Sequence, residues 1–264
     1  TPETQGIAKR DLPFPPGTLF GLTLANNGTD PTNDIDIATG KCRDSTDAVN
    51  MFLVGALTKR LDAAWAVGSG NGGLDTGAIG NNTYHVWLIK RSDTGVVDAL
   101  FSLSASAPTM PSNYDYKRRI GSIVRTGGVI KGFVQDGDIF IWQVPAADVN
   151  ATNPGTAAVT RTLTVPTGIR VQAIISTFGY GAAAASNPSS IFISDLSITD
   201  SAPSNSVFNL TSYNGGAVEN QNGSTIYVFT NTSAQVRSRL QNSAAATVLV
   251  MNTLGWIDTR GRLA

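Results

Sequence analysis

The sequence predicts an all-β protein, an antiparallel, jelly-roll-like β-sandwich behind an extended N-terminal arm. Three observations carry that expectation. Short runs of alternating apolar residues recur along the chain, separated by Gly, Pro, Asn and Asp at near-regular spacing. Two junctions, Ser92-Asp93-Thr94-Gly95 and Asp136-Gly137, lie between alternating runs, where hairpin turns need residues that tolerate positive φ. About a dozen candidate strands overfill a single sheet, so they divide between two.

Residues 1–16 are polar and end in Leu12-Pro13-Phe14-Pro15-Pro16, whose prolines block helix and ladder pairing. This is an arm, either frayed or packed on a neighbouring subunit, with Phe14 as its plug and Pro15 and Pro16 holding it extended. Residues 17–264 are expected to form one sandwich domain, with 200–264 as a possible further lobe. Gly17–Ala25 alternates as a first strand, 26–34 is a turn, and Ile35–Ala38 is a short strand. Residues 47–67 fit a helix by the spacing of Val49, Leu53, Leu57 and Leu61, but strand neighbours and Gly55 favour β. Gly68–Asn82 is a long loop. In Thr83–Arg91 both faces are apolar, His85, Trp87 and Ile89 on one and Tyr84, Val86 and Leu88 on the other, so the strand is buried on both sides. Strands follow at 119–126, 129–135 and 138–144, then a loop over 145–155. A strand pair is expected about Pro166-Thr167-Gly168, a loop over 179–189, and strands at 190–198, 207–213, 225–231, 235–240, 247–251 and 255–258.

Composition narrows the function. Hydrophobic residues at 41% indicate a globular chain, and charged residues at 14% are well below the usual share of about 25%. The net charge of +0 gives no bulk attraction to nucleic acid or anionic membranes, leaves local patches open, and permits self-association. Cys42 is the only cysteine, so neither an intrachain disulfide nor a cysteine metal cluster is available. The first residues lack the apolar core of a signal peptide, and no run reaches the roughly 20 apolar residues of a membrane helix. Synthesis in a cytoplasm is the expectation. Six glycosylation sequons follow from the richness in Asn, Thr and Ser.

Enzyme signals are sparse. There is no G-x-S-x-G elbow and no phosphate-binding loop, and Glu occurs only at Glu3 and Glu219. His85, the one histidine, sits mid-strand and reads as a packed or hydrogen-bonded sheet residue. No catalytic residue, cofactor or metal is assigned, and the chain is read as a non-enzyme. Asp30, Asp34 and Asp36 crowd one loop with oxygen ligands, but without EF-hand spacing, so an ordinary turn is preferred to a calcium site. Tyr114, Tyr116, Lys117 and Arg118 form an aromatic and basic run that could stack on sugar rings and bind their acidic groups. Trp65, beside the Gly-rich loop, is the best exposed tryptophan candidate, whereas Trp87 and Trp142 read as core.

The blocks DIATGKCRDSTDAVNMFL, ALTKRLDAAWAVGSGNGGLDTG, TYHVWLIKRSDTGVVDALFS, PTMPSNYDYKRRIGSI and FVQDGDIFIW resemble a β-rich module of tailed-bacteriophage tail fibre and tail-tip-associated proteins. The resemblance spans about residues 19–178. It implies a virion tail protein, homo-oligomeric and expected as a trimer, that attaches to a bacterial surface polysaccharide or protein and binds other tail proteins, without nucleic acid or membrane insertion. Trp65, Tyr114, Tyr116, Lys117 and Arg118 are the receptor-contact candidates. The alternatives are a virion decoration or connector protein and, further off, a carbohydrate-active enzyme.

Overall fold

The computed structural model describes residues 13–180, 189–212, 214–215, 218–219, 222–245 and 247–262. Among them every regular element is a strand. In order these are β1 (Leu19–Gly21), β2 (Leu24–Asn26), β3 (Asp34–Ile37), β4 (Gly40–Arg43), β5 (Asn50–Leu53), β6 (Leu57–Ala64), β7 (Gly72–Leu74), β8 (Thr83–Arg91), β9 (Val97–Ser102), β10 (Tyr114–Thr126) and β11 (Val129–Ile130). Then come β12 (Phe133–Asp136), β13 (Ile139–Thr152), β14 (Val159–Thr162), β15 (Gln172–Tyr180), β16 (Ser189–Ser194), β17 (Leu210–Ser212), β18 (Asn214–Gly215), β19 (Val218–Glu219), β20 (Asn222–Phe229), β21 (Gln235–Leu240) and β22 (Val248–Ile257). The all-β, antiparallel sandwich class holds. The chain divides into two compact units where one domain was expected: 1–131 with 135–138 and 259–264, and 132–134 with 139–258. Residues 200–258 fall within the second unit.

In the first unit a three-stranded sheet, β1-β4-β5, accompanies an eight-stranded one, β11-β10-β8-β9-β7-β6-β3-β2. Leu19, Cys42 and Met51 form one buried cross-strand row of the small sheet. As expected, β8 is buried on both faces from Thr83 to Ile89, and Gly95 at φ 74° turns it into β9. On one face Trp87, Ile89, Leu100 and Tyr114 cluster, with Trp65 and Met110 against them. His85 is buried, its Nδ1 2.9 Å from Ser122 Oγ.

The second unit holds the five-stranded sheet β12-β13-β22-β15-β20, to which β12 contributes Phe133 and Val134, and the four-stranded sheet β14-β21-β16-β17. Its aromatic core stacks Phe140 on Trp256 at 4.8 Å, with Trp142 4.6 Å from Trp256. Trp142 is core as expected and donates its Nε1–H to Thr164 O.

Several boundaries differ from the sequence reading, each for a local reason. Gly17–Ala25 is two strands in two sheets, because Gly21 and Leu22 both take positive φ, 67° and 56°, and so break an extended run. The loop expected over 68–82 contains β7, parallel to β6 and β9. Its glycines serve close approach: a Cβ on Gly72 would strike the Ala64 carbonyl, and one on Gly73 the Phe101 ring. β13 runs through the expected loop at 145–155 as far as Thr152, accommodating Pro145 in an irregularity between the Ile141–Gly255 and Ala146–Thr253 pairs. The strands about Pro166 are not a hairpin. β14 pairs with β21, while β15 pairs with β20 and β22 in the other sheet. The last two expected strands are one, β22, whose polar Thr253 donates to Asp148. Of the loop expected over 179–189, residues 181–188 lie outside the described residues, as does the arm over 1–12.

Candidate functional site

On β4, alternation puts Cys42 on one face of the sheet and Lys41 and Arg43 on the other. Pairing across the small sheet then sets Phe20, Lys41 and Phe52 in one row, and Arg43 opposite Asn50 in the next. Phe20 is 71% exposed. The Phe14 ring meets Phe52 edge-on at 5.4 Å, and Lys41 Nζ lies 4.7 Å from the centre of Phe14 and 6.0 Å from that of Phe20. This outer face alternates aromatic rings with cations.

The segment before β1 completes the face. Phe14 N–H donates to Asn50 Oδ1 at 3.2 Å, and Gly17 N–H to Asp47 Oδ1 at 2.9 Å. Phe14 therefore packs on its own chain, and Pro15 and Pro16 are exposed beside it. The β4–β5 turn is fixed by Asp44, whose carboxylate accepts from Thr46 N and Oγ1, Ala48 N and Val49 N at 2.5–3.1 Å. Burial works to raise the Asp44 carboxyl, but these hydrogen bonds outweigh it and hold it below the ordinary range.

Two clefts open on the face. One, of about 580 Å³, runs along Gly17–Phe20, Lys41 and Arg262. The other, of about 470 Å³, lies between Pro13, Arg43, Val49, Asn50, Phe52 and Lys90. Arg43 is only 6% exposed, yet its partners are neutral oxygens: Nη1 donates to Asn50 Oδ1 at 2.8 Å and Nη2 to Asp47 O. Its buried Nε has no partner among the described residues. Lys90 Nζ donates to Asn50 O at 3.0 Å. The ion pairs among the described residues include none of Lys41, Arg43 and Lys90. Rings and unneutralised cations on one face suit a ligand with both apolar and anionic parts.

The residues singled out from the sequence are dispersed. One extra residue at Asp115 shifts the β10–β8 register, so Tyr114 opposes Arg91 but Tyr116 opposes Lys90. Neighbouring β8 residues face opposite ways, and the aromatic–basic run is therefore split between two faces. Tyr114 is buried against Trp65, ring centres 5.2 Å apart, and Lys117 Nζ lies 5.7 Å over Trp87. Tyr116 is half-buried on the other face with Arg118, which is buried near Cys42. Trp65 is half-buried and donates Nε1–H to Ala99 O at 3.0 Å, which corrects its reading as an exposed candidate.

In the Asp30–Asp36 loop, Asp30 caps its own turn through Thr32 and Asn33, and Asp36 accepts from Asn27 and Thr58. No group of three or more metal-ligating side chains occurs among the described residues. The sequence reading missed Phe20, Lys41, Arg43, Phe52 and Lys90 as a set. The available signal was Lys-Cys-Arg, two cations alternating about an apolar residue, in a segment not read as a strand. No family model matches the chain, and no curated protein matches it.

Proposed function

We propose that the chain is a non-enzymatic attachment module of a tailed-phage tail fibre, binding a bacterial surface component through the outer face of β1-β4-β5. The observation that carries this reading is the Phe20–Lys41–Phe52 row, with an exposed ring and cations free of carboxylate partners. A rigid sheet offering such side chains favours recognition over chemistry. Several copies on one particle would turn modest single-site affinity into firm attachment.

Binding of the purified chain to host cells, before and after removal of surface polysaccharide, tests it. Saturable binding that falls in a Phe20→Ser, Lys41→Gln variant of unchanged melting temperature is the expected result. Absence of binding by a folded wild-type sample overturns the reading.

A connector role has its own supporting observation in the second unit. Ile139 and Phe229 lie in one cross-strand row of the five-stranded sheet and Ile141 and Tyr227 in the next, and all four are exposed. An apolar face of this kind suits contact with another virion protein or another copy. Sedimentation of the chain alone separates the two partners.

A further inference from the structure

We propose that the Arg43–Lys90 cleft binds the carboxylate of an acidic sugar residue, with Phe52 taking an apolar face of the ring. This rests on the attachment reading of the same face and names the class of ligand. The two cations converge on one residue: Arg43 holds the side-chain oxygen of Asn50, and Lys90 its main-chain oxygen. Both contacts are to neutral acceptors, so both charges remain available.

The nearest acids in sequence form no ion pair with Arg43 among the described residues. Asp44 is taken up by its turn, and Asp47 Oδ1 accepts from Gly17. A guanidinium desolvated as far as Arg43 costs free energy without a counter-charge, and an anion in the cleft would supply one. Arg43 also retains N–H donors beyond its two hydrogen bonds, and its buried Nε has no partner among the described residues, so the guanidinium is incompletely satisfied by its own chain.

Size and lining favour a sugar over a bare ion. A cleft of about 470 Å³ is in the range of small-molecule sites and far larger than one inorganic anion needs. Pro13, Val49 and Phe52 give it an apolar wall, on which the C–H face of a pyranose ring can lie. A carboxylate and a phosphate make the same charge-assisted bonds to Arg and Lys, so the ring contact is what distinguishes them.

Calorimetry of the full chain with galacturonate and glucuronate trisaccharides, their carboxyl-reduced neutral counterparts and inorganic phosphate tests the inference. Saturable binding of a uronate trisaccharide is expected, at least about tenfold weaker for its neutral counterpart. Phosphate is expected not to displace it at equal concentration. Lys90→Gln should weaken binding about tenfold with an unchanged melting temperature, and Arg43→Gln serves as the second variant. Equal binding of acidic and neutral sugars, displacement by phosphate, or full affinity in Lys90→Gln overturns the inference. Wild-type chain that binds cells but neither uronate overturns it and leaves the attachment reading intact. Uronate binding without cell binding does the reverse.

Discussion

Lys59 and Asp98 form a buried ion pair, Nζ to Oδ1 at 3.2 Å, with side chains 0% and 1% exposed. The pair fastens the glycine-rich segment after β6. Lys59 Nζ donates to Ala66 O at 2.7 Å and Gly68 O at 3.2 Å, while Asp98 Oδ2 accepts from Gly68 N at 2.7 Å. Removing one partner strands a charge in the interior, so Asp98→Ala should cost about 3–5 kcal/mol. Replacing both, as Lys59→Met with Asp98→Leu, should recover most of that loss. Urea titration measures both. A single mutant as stable as the wild type would show that the pair has no such role.

Asp44 gives the fold an acid-sensitive element. Its carboxyl is lowered in the folded chain, so the native state releases its proton more readily than the unfolded chain does. The stabilisation is present above the unfolded value of 3.8 and is lost as pH falls through the lowered folded value. Asp44→Asn keeps one acceptor oxygen but not the charge, and should cost about 2 kcal/mol at pH 7. Melting curves of the two proteins should converge below pH 3.8; a constant gap would contradict the assignment.

Legibility in the sequence followed the scale of the governing interaction. β8 was readable because seven consecutive buried residues leave an apolar signature on both faces, and its turn needs only Gly95. β7 was not, because Gly72 and Gly73 are selected by the closeness of Ala64 and Phe101, which are distant in sequence or fixed only by the fold. The same limit governed the site. The Tyr114–Arg118 run looks like one patch until the extra residue at Asp115 turns its parts to opposite faces. The Phe20–Lys41–Phe52 row joins three strands, and no local pattern records that pairing.

Cys42 should be chemically silent in the native protein. Burial pushes its thiol up to about 12, Arg118 opposing, so almost no thiolate forms near neutral pH. A chromogenic disulfide reagent should leave Cys42 unmodified in buffer and titrate it fully in denaturant. Rapid labelling of the folded chain would place the thiol nearer solvent than its position between Leu19 and Met51 allows.

Arg118 carries the sharpest consequence of the split run. It is 5% exposed, its Nε and Nη2 have no hydrogen-bond partner among the described residues, and it forms no ion pair with a described carboxylate. Burial lowers its proton affinity, with Cys42 and Asp47 acting against that. A guanidinium held this way costs desolvation that its surroundings do not return, and an unbranched apolar chain can fill the same space. Arg118→Met should therefore stabilise the protein by about 1–3 kcal/mol, read as a higher urea midpoint at unchanged slope. It should also leave cell binding unchanged, since Arg118 sits beneath the small sheet beside Cys42 and not on the face that carries Lys41 and Arg43. A destabilised variant would show that the guanidinium is satisfied by bound water or an internal anion. Lost cell binding in a stable variant would return Arg118 to the contact surface that its place beside Tyr116 and Lys117 first suggested.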